Sequence, residues 1–171
     1  MLVRRSKPRN IRDILECIGR QIRCNNSDEP LMQIRKKLDA DFRSVTSALR
    51  DSWCKETCYP PMKETWSKDV PEMGQCAVTA MVVQDYRGGD IICCEHMHHY
   101  WNRLPDGREI DLTRSQFPSD MKICEDAVVP RSKFASNGNA DTMVRYGILR
   151  GKVEKILGTP PRLNIRDKKE E

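Results

Sequence analysis

The sequence predicts an α+β fold: a single domain in which helices pack on a small antiparallel sheet. Three observations predict it. Apolar residues at helical spacing mark stretches towards both ends of the chain. A strand–turn–strand pattern with Pro105-Asp106-Gly107 at its bend lies between them. A short Ala/Val/Met-rich segment, stopped by Gly88-Gly89, comes just before that pattern. At 171 residues the chain is long enough for one domain with a real core and too short for two comfortable ones.

The elements follow in order. Residues 1–10 form a basic arm, since Arg4, Arg5, Lys7, Arg9 and Arg12 precede the first acid, Asp13. Such a run reads as a solvated, flexible segment. No aromatic side chains interleave with it as they do in a stacking platform, so nucleic acid is the lesser reading of its charge. Residues 11–50 form a helical segment. Ile11, Ile14, Leu15, Ile18 and Ile22 share one helical face, and a turn at Asn25–Pro30 follows. A second helix over 31–49 carries a stripe of Leu31, Ile34, Leu38, Phe42, Val45 and Leu49.

The core is expected over 51–158. It opens with an irregular segment, where Trp53, Trp66 and the prolines at 60, 61 and 71 argue against a continuous helix. A buried helix starts near Cys76. Strands are expected over 91–95, 99–104 and 108–113, then a loop region with Pro118 and Pro130. A closing helix over 140–157 carries Met143, Tyr146, Leu149, Val153 and Ile156, and Gly158-Thr159-Pro160-Pro161 ends it. Residues 159–171 are a charged tail.

Composition bounds the partners. Thirty basic against 25 acidic residues leave a formal charge of +5. No uninterrupted apolar stretch of roughly 7–15 residues follows the basic start, as a secretory signal needs. No run approaches the ~18 residues of a membrane span. A cytoplasmic protein is expected, with no membrane partner, and its eight cysteines should then be thiols or metal ligands rather than structural disulfides.

The chemistry concentrates in three places: Gly74-Gln75-Cys76-Ala77, His98-His99-Tyr100-Trp101-Asn102, and Glu109-Ile110-Asp111-Leu112-Thr113. A cysteine at a helix start lies where unpaired backbone N–H groups and the helix dipole favour a thiolate. The same N–H groups can hold an oxyanion, and Gln75 is a further candidate donor. His99 is the candidate base and Asp111 the carboxylate that orients it. Taken singly, Cys76 also fits an ordinary buried thiol and His99 a surface histidine.

Register decides the third member. If Pro105, Asp106 and Gly107 make the turn, Leu104 pairs with Arg108 and Asp111 lies opposite Trp101, diagonal to His99 on the same face. If only Asp106-Gly107 turn, Asp111 faces away and Asn102 becomes the substitute. Pro105 has no N–H to donate to a ladder, which favours the longer turn. Trp101 shares the His99 face by alternation and completes the supporting set.

The strings Trp66-Ser67-Lys68-Asp69, Gly74-Gln75-Cys76-Ala77-Val78-Thr79-Ala80, Val82-Val83-Gln84-Asp85 with Gly88-Gly89-Asp90-Ile91, His99-Tyr100-Trp101-Asn102-Arg103, and Asp111-Leu112-Thr113 with Gln116-Phe117 resemble the YunG family. The resemblance covers about 53–157. The family is largely uncharacterised, so the resemblance makes the Cys76 motif the centre of the domain and leaves the reaction unnamed. The motif order also resembles papain-like and transglutaminase-like domains, a pattern of three residues that does not fix function.

Two rival readings stand beside the thiol site. Cys93, Cys94, His96, His98 and His99, with Cys54 and Cys58 upstream, are dense in zinc ligands. Adjacent strand residues point to opposite faces, however, so only one of Cys93 and Cys94 ligates easily. The other rival is a non-catalytic binding or structural domain, with these residues in a hydrogen-bonded core around Trp66, Trp101 and Cys76. The leading expectation is a cysteine-dependent amide hydrolase, deamidase or transferase with an unknown substrate, no cofactor and no catalytic metal.

Overall fold

The computed structural model describes residues 29–124, 127–135 and 140–161. The helix expected over 11–23, the basic arm and the tail beyond 161 lie outside the described residues. Two units are distinguished, Met1–Phe42 and Arg43–Glu171. In the first, the described residues, 29–42, are helical. The second is the α+β domain.

Helix α1 spans Glu29–Ser52. Within the domain its buried residues are Val45, Ala48, Leu49 and Ser52, the i, i+3, i+4, i+7 spacing of one helical face. Trp53 follows directly, and its indole N–H donates to Thr79 Oγ1 at 2.9 Å. That bond satisfies the polar edge of a buried aromatic and ties the end of α1 to the next helix. Residues 54–75 then run through turns and one short 3₁₀ helix at Pro60–Met62.

Helix α2, Cys76–Arg87, is buried continuously from Val78 to Asp85. Burial on every face marks a central helix, and α2 packs against strands β1 and β2 and against helix α3. Each fully buried aliphatic side chain here, such as Met81 or Val82, stabilises the fold by about 1.5–3 kcal/mol.

The sheet has four antiparallel strands in the order β3-β2-β1-β4. They are β1 Asp90–Cys94, β2 His99–Arg103, β3 Glu109–Ile110 and β4 Ala127–Val129. Gly89 enters β1 with φ +86°, and a Cβ there would lie 2.2 Å from the Arg103 carbonyl oxygen. Only glycine fits that approach. Alternation along β1 sends Ile91 and Cys93 into the main core, and Ile92 and Cys94 into a smaller cluster with Trp101.

Helix α3 spans Ala140–Leu157 and buries Tyr146, Leu149 and Val153 in the main core. Ile156, expected on that stripe, is exposed. The Tyr146 hydroxyl donates to Asp85 Oδ2 at 2.6 Å, and Arg131 pairs with Asp85 Oδ1 at 2.7 Å. Burial and then the Asp85 carboxylate push the Tyr146 phenol up to about 12. Among the described residues, no helix is long and apolar enough to cross a membrane.

Two local expectations change. The strand expected over 108–113 is only Glu109–Ile110. It stops because Asp111 Oδ1 accepts from the Thr113 N–H at 3.0 Å, an Asx turn that bends the chain out of the ladder. The stretch expected to be loop contains β4, a three-residue strand too short to show a period of its own.

Candidate active site

The site begins at the start of α2. Gly74 holds φ +67°, and a Cβ there would sit 2.8 Å from Cys58 Sγ and 3.1 Å from the Tyr59 nitrogen. The Gly74 carbonyl accepts from the Tyr59 N–H at 2.9 Å, so this glycine lets two chain segments meet just before the helix. Gln75 takes the N-cap position without making a side-chain cap bond. Cys76 is therefore the first residue of a helix whose leading N–H groups are not capped by a side chain. It is partly exposed, and its Sγ lies 3.8 Å from the His98 carbonyl oxygen.

His98 closes the turn between β1 and β2 with φ +48°, a left-handed conformation uncommon outside glycine. The next residue, His99, is 0 % exposed. Its ring stacks on Trp101 at 5.8 Å between centroids and meets Phe117 edge-on at 4.8 Å. Buried imidazoles need partners for both nitrogens. Nε2 lies 2.6 Å from Asp111 Oδ2, and Nδ1 lies 3.3 Å from Gln116 Nε2. Because the carboxylate only accepts, Nε2 carries a proton and Nδ1 is the nitrogen left to exchange one.

Asp111 is fixed by its other oxygen, which accepts from the Thr113 N–H at 3.0 Å and hydroxyl at 3.2 Å. It reaches His99 through register. Asn102 pairs with Ile110 and Arg103 with Glu109. Leu104 donates its N–H to the Arg108 carbonyl at 2.8 Å, which puts Pro105, Asp106 and Gly107 inside the turn. This is the longer of the two turns, and it places Asp111 on the His99 face.

Electrostatics follow from these contacts. Burial alone pulls the His99 pKa down. Hydrogen bonding to Asp111 and to Cys76, with the charges of both, outweighs burial and pushes it up to about 9. Asp111 and Cys76 thus both favour the protonated form of the ring.

The supporting residues divide. Trp101 stacks on His99 and donates its indole N–H to Glu109 Oε2 at 2.9 Å. That bond first, and Arg103 second, hold the Glu109 carboxyl below its usual range. Gln75, expected as a further oxyanion donor, is turned inward. Its side chain is 0 % exposed, and Nε2 donates to the Cys54 carbonyl at 3.0 Å, tying the 54–58 turns beneath the helix start. Asn102 does not substitute for Asp111. It lies on the opposite face of β2, buried, and Nδ2 donates to the Ala80 carbonyl of α2 at 3.0 Å.

Sequence reasoning gave Gln116 and Phe117 no role, yet both touch His99. Gln116 Oε1 also accepts from the Gly74 N–H at 3.4 Å, so one amide bridges the thiol loop and the imidazole. Gln116-Phe117 stands among the strings that resemble the YunG family, but that string does not show which residue it would touch. Thr113 was legible in principle, since Asp-x-Thr is an Asx-turn spacing.

The zinc ligand set does not assemble. Among the described residues, no three side chains of His, Cys, Asp or Glu converge to hold a metal ion. Cys93 and Cys94 point to opposite faces of the sheet. Cys58 is buried, its thiol pushed up in pKa by that burial, and it donates to the Met73 carbonyl at 3.2 Å.

A family model described as YunG protein matches residues 41–158. The Bacillus subtilis (strain 168) protein described as "Uncharacterized protein YunG" is 32% identical over 80 residues. That stretch is 46% of this chain and 64% of the relative, so the chain spans just under two thirds of the relative's length. No solved structure matches.

Proposed function

The chain belongs to the YunG family, and we propose that it is a cysteine-dependent acyl-group enzyme. Cys76 is the nucleophile, His99 the general base and later acid, and Asp111 the group that orients His99. The observation that carries this reading is the fixed imidazole. Nε2 is held 2.6 Å from Asp111 Oδ2, and Cys76, at the start of α2, is among the groups that raise the His99 pKa. Triads are recognised by such roles, not by sequence position.

The chemistry follows from the geometry. His99 takes the Cys76 proton at Nδ1, and the sulfur attacks a carbonyl carbon, forming a C–S bond and an oxyanion. Backbone N–H groups of the first turn of α2 are the donors available to that oxyanion, each worth about 3–4 kcal/mol in comparable sites. His99 returns the proton to the departing nitrogen or oxygen as the C–N or C–O bond breaks, which leaves a thioester on Cys76. Water gives hydrolysis or deamidation, and an acceptor amine gives transfer, with His99 again as base. Gln116 positions the ring through Nδ1 and is not a reacting group.

The test is site-resolved alkylation of the full chain with iodoacetamide at pH 6. Cys76 is expected to label at least tenfold faster than any other cysteine, exposed Cys124 included. If Cys76 labels no faster than Cys124, the activated-thiol reading fails, and the domain reverts to a binding or structural module.

A further inference from the structure

Outside the candidate site, two thiols lie unusually close. Cys94 Sγ and Cys124 Sγ are 3.1 Å apart although 30 residues separate them. Cys94 ends β1 and is fully buried, whereas Cys124 is exposed in the irregular chain before β4. Their approach is supported by packing. Ile123 and Met97 pack on the small cluster of Ile92, Cys94 and Trp101, which seats the segment around Cys124 on the sheet face away from the main core.

We propose that Cys94 and Cys124 are a redox-active pair that forms an intramolecular disulfide, with hydrogen peroxide as oxidant. The exposed Cys124 thiolate attacks the peroxide. Its sulfur gains an oxygen and becomes a sulfenic acid as the O–O bond breaks, and the departing hydroxide takes up the proton that Cys124 released. The Cys94 thiol then attacks the Cys124 sulfur, the S–O bond breaks, and the leaving hydroxide removes the Cys94 proton as water. In sum, two thiols are oxidised by two electrons and one peroxide is reduced to two waters.

The exposure difference assigns the roles. Peroxide reaches Cys124, and Cys94, waiting in the packed cluster, resolves the sulfenic acid before a second oxidation. A disulfide needs sulfurs about 2.05 Å apart, so they must close by roughly 1 Å. Cys124, in irregular chain, can supply that shift while β1 stays paired on both sides. The bond would pin the chain following Gln116 and Phe117 to the strand residue that pairs with His99. It would therefore brace one wall of the imidazole site. The pair itself needs nothing from Cys76 and stands whether or not Cys76 acts on acyl groups.

The test uses the full chain, treated with a small excess of hydrogen peroxide, blocked with N-ethylmaleimide and digested without reduction. Cleavage at Arg103 and Lys122 separates the two cysteines. The expected product is a cross-linked peptide pair, two hydrogens lighter than the sum of the free peptides and released by dithiothreitol, with fragmentation placing the bond at Cys94 rather than Cys93. In C94A the cross-link should vanish and Cys124 should accumulate as sulfinic acid. In C124S, a change at an exposed position, Cys94 should stay a thiol. Recovery of wild-type Cys124 mainly as sulfinic acid, or joined to a cysteine other than Cys94, overturns the proposal.

Discussion

The two faces of strand β2 each bury one polar residue, and they use it in opposite ways. Asn102 turns towards α2 and gives its amide N–H to the Ala80 carbonyl. His99 turns the other way, gives one nitrogen to Asp111, and has the Gln116 amide at the second. The first face spends its polar group on holding helix to sheet. The second holds a titratable group rigid while leaving it a proton to exchange. Burial alone does not separate a structural polar residue from a chemical one; what separates these two is that an imidazole can gain and lose a proton and an amide cannot.

The largest effect that sharpens this contrast is on reactivity. His99→Asn is expected to slow alkylation of Cys76 at pH 6 by about 10²-fold or more, the usual size of a lost acid–base partner. Asn102→Leu should leave that rate within about twofold. If both variants slow Cys76 equally, β2 acts on the thiol only by holding the fold together, and the two faces are not different in kind.

Stability should show the converse. Asn102→Leu removes a fully buried donor and is expected to cost about 1–3 kcal/mol in urea unfolding, with the Cys76 labelling pattern unchanged. A loss as small as that of an exposed substitution would mean that the Asn102–Ala80 bond ties nothing.

The pH dependence of stability separates the faces again. The folded-state pKa of His99 is raised from 6.5 to about 9. A raised basic group stabilises the fold fully below its unfolded pKa and loses that contribution as pH rises through its folded value. Wild-type protein should therefore lose about 1–3 kcal/mol more than His99→Asn between pH 6 and pH 9.5. Cys76→Ser should keep the part that comes from Asp111. Equal pH slopes for wild type and His99→Asn would remove the ionic character assigned to this face.

How much of this was legible beforehand follows the same division. The hairpin register could be read from Pro105, because a residue without an N–H is poorly placed in a ladder. Helix α3 runs from Ala140 to Leu157 as its apolar spacing indicates. Alternation put His99 and Trp101 on one face of β2 and Asn102 on the other. What the sequence could not supply were partners distant along the chain. Gln75 looks like an oxyanion donor until the Cys54 carbonyl, 21 residues earlier, claims its amide. Gln116 is only part of a family string until folding brings it to Nδ1 of His99, 17 residues back. Strand β4 was hidden because a three-residue edge segment gains its identity from pairing with β1.

The smallest effect concerns Trp101, which belongs to the His99 face by position but not by chemistry. Its ring stacks on the imidazole, and its indole N–H reaches outward to Glu109, which also pairs with Arg103 at 2.8 Å. Trp101→Phe keeps an aromatic surface against His99 and removes the indole donor. Glu109 retains Arg103 and is 41% exposed, so the lost bond can be replaced by water at small cost. The expected loss is about 0.5–1 kcal/mol in unfolding, and the Cys76 labelling rate at pH 6 should fall less than about threefold. A fall comparable to that of His99→Asn would mean that the indole does more than wall in the ring. The chemical part of the face would then extend one residue pair further along β2.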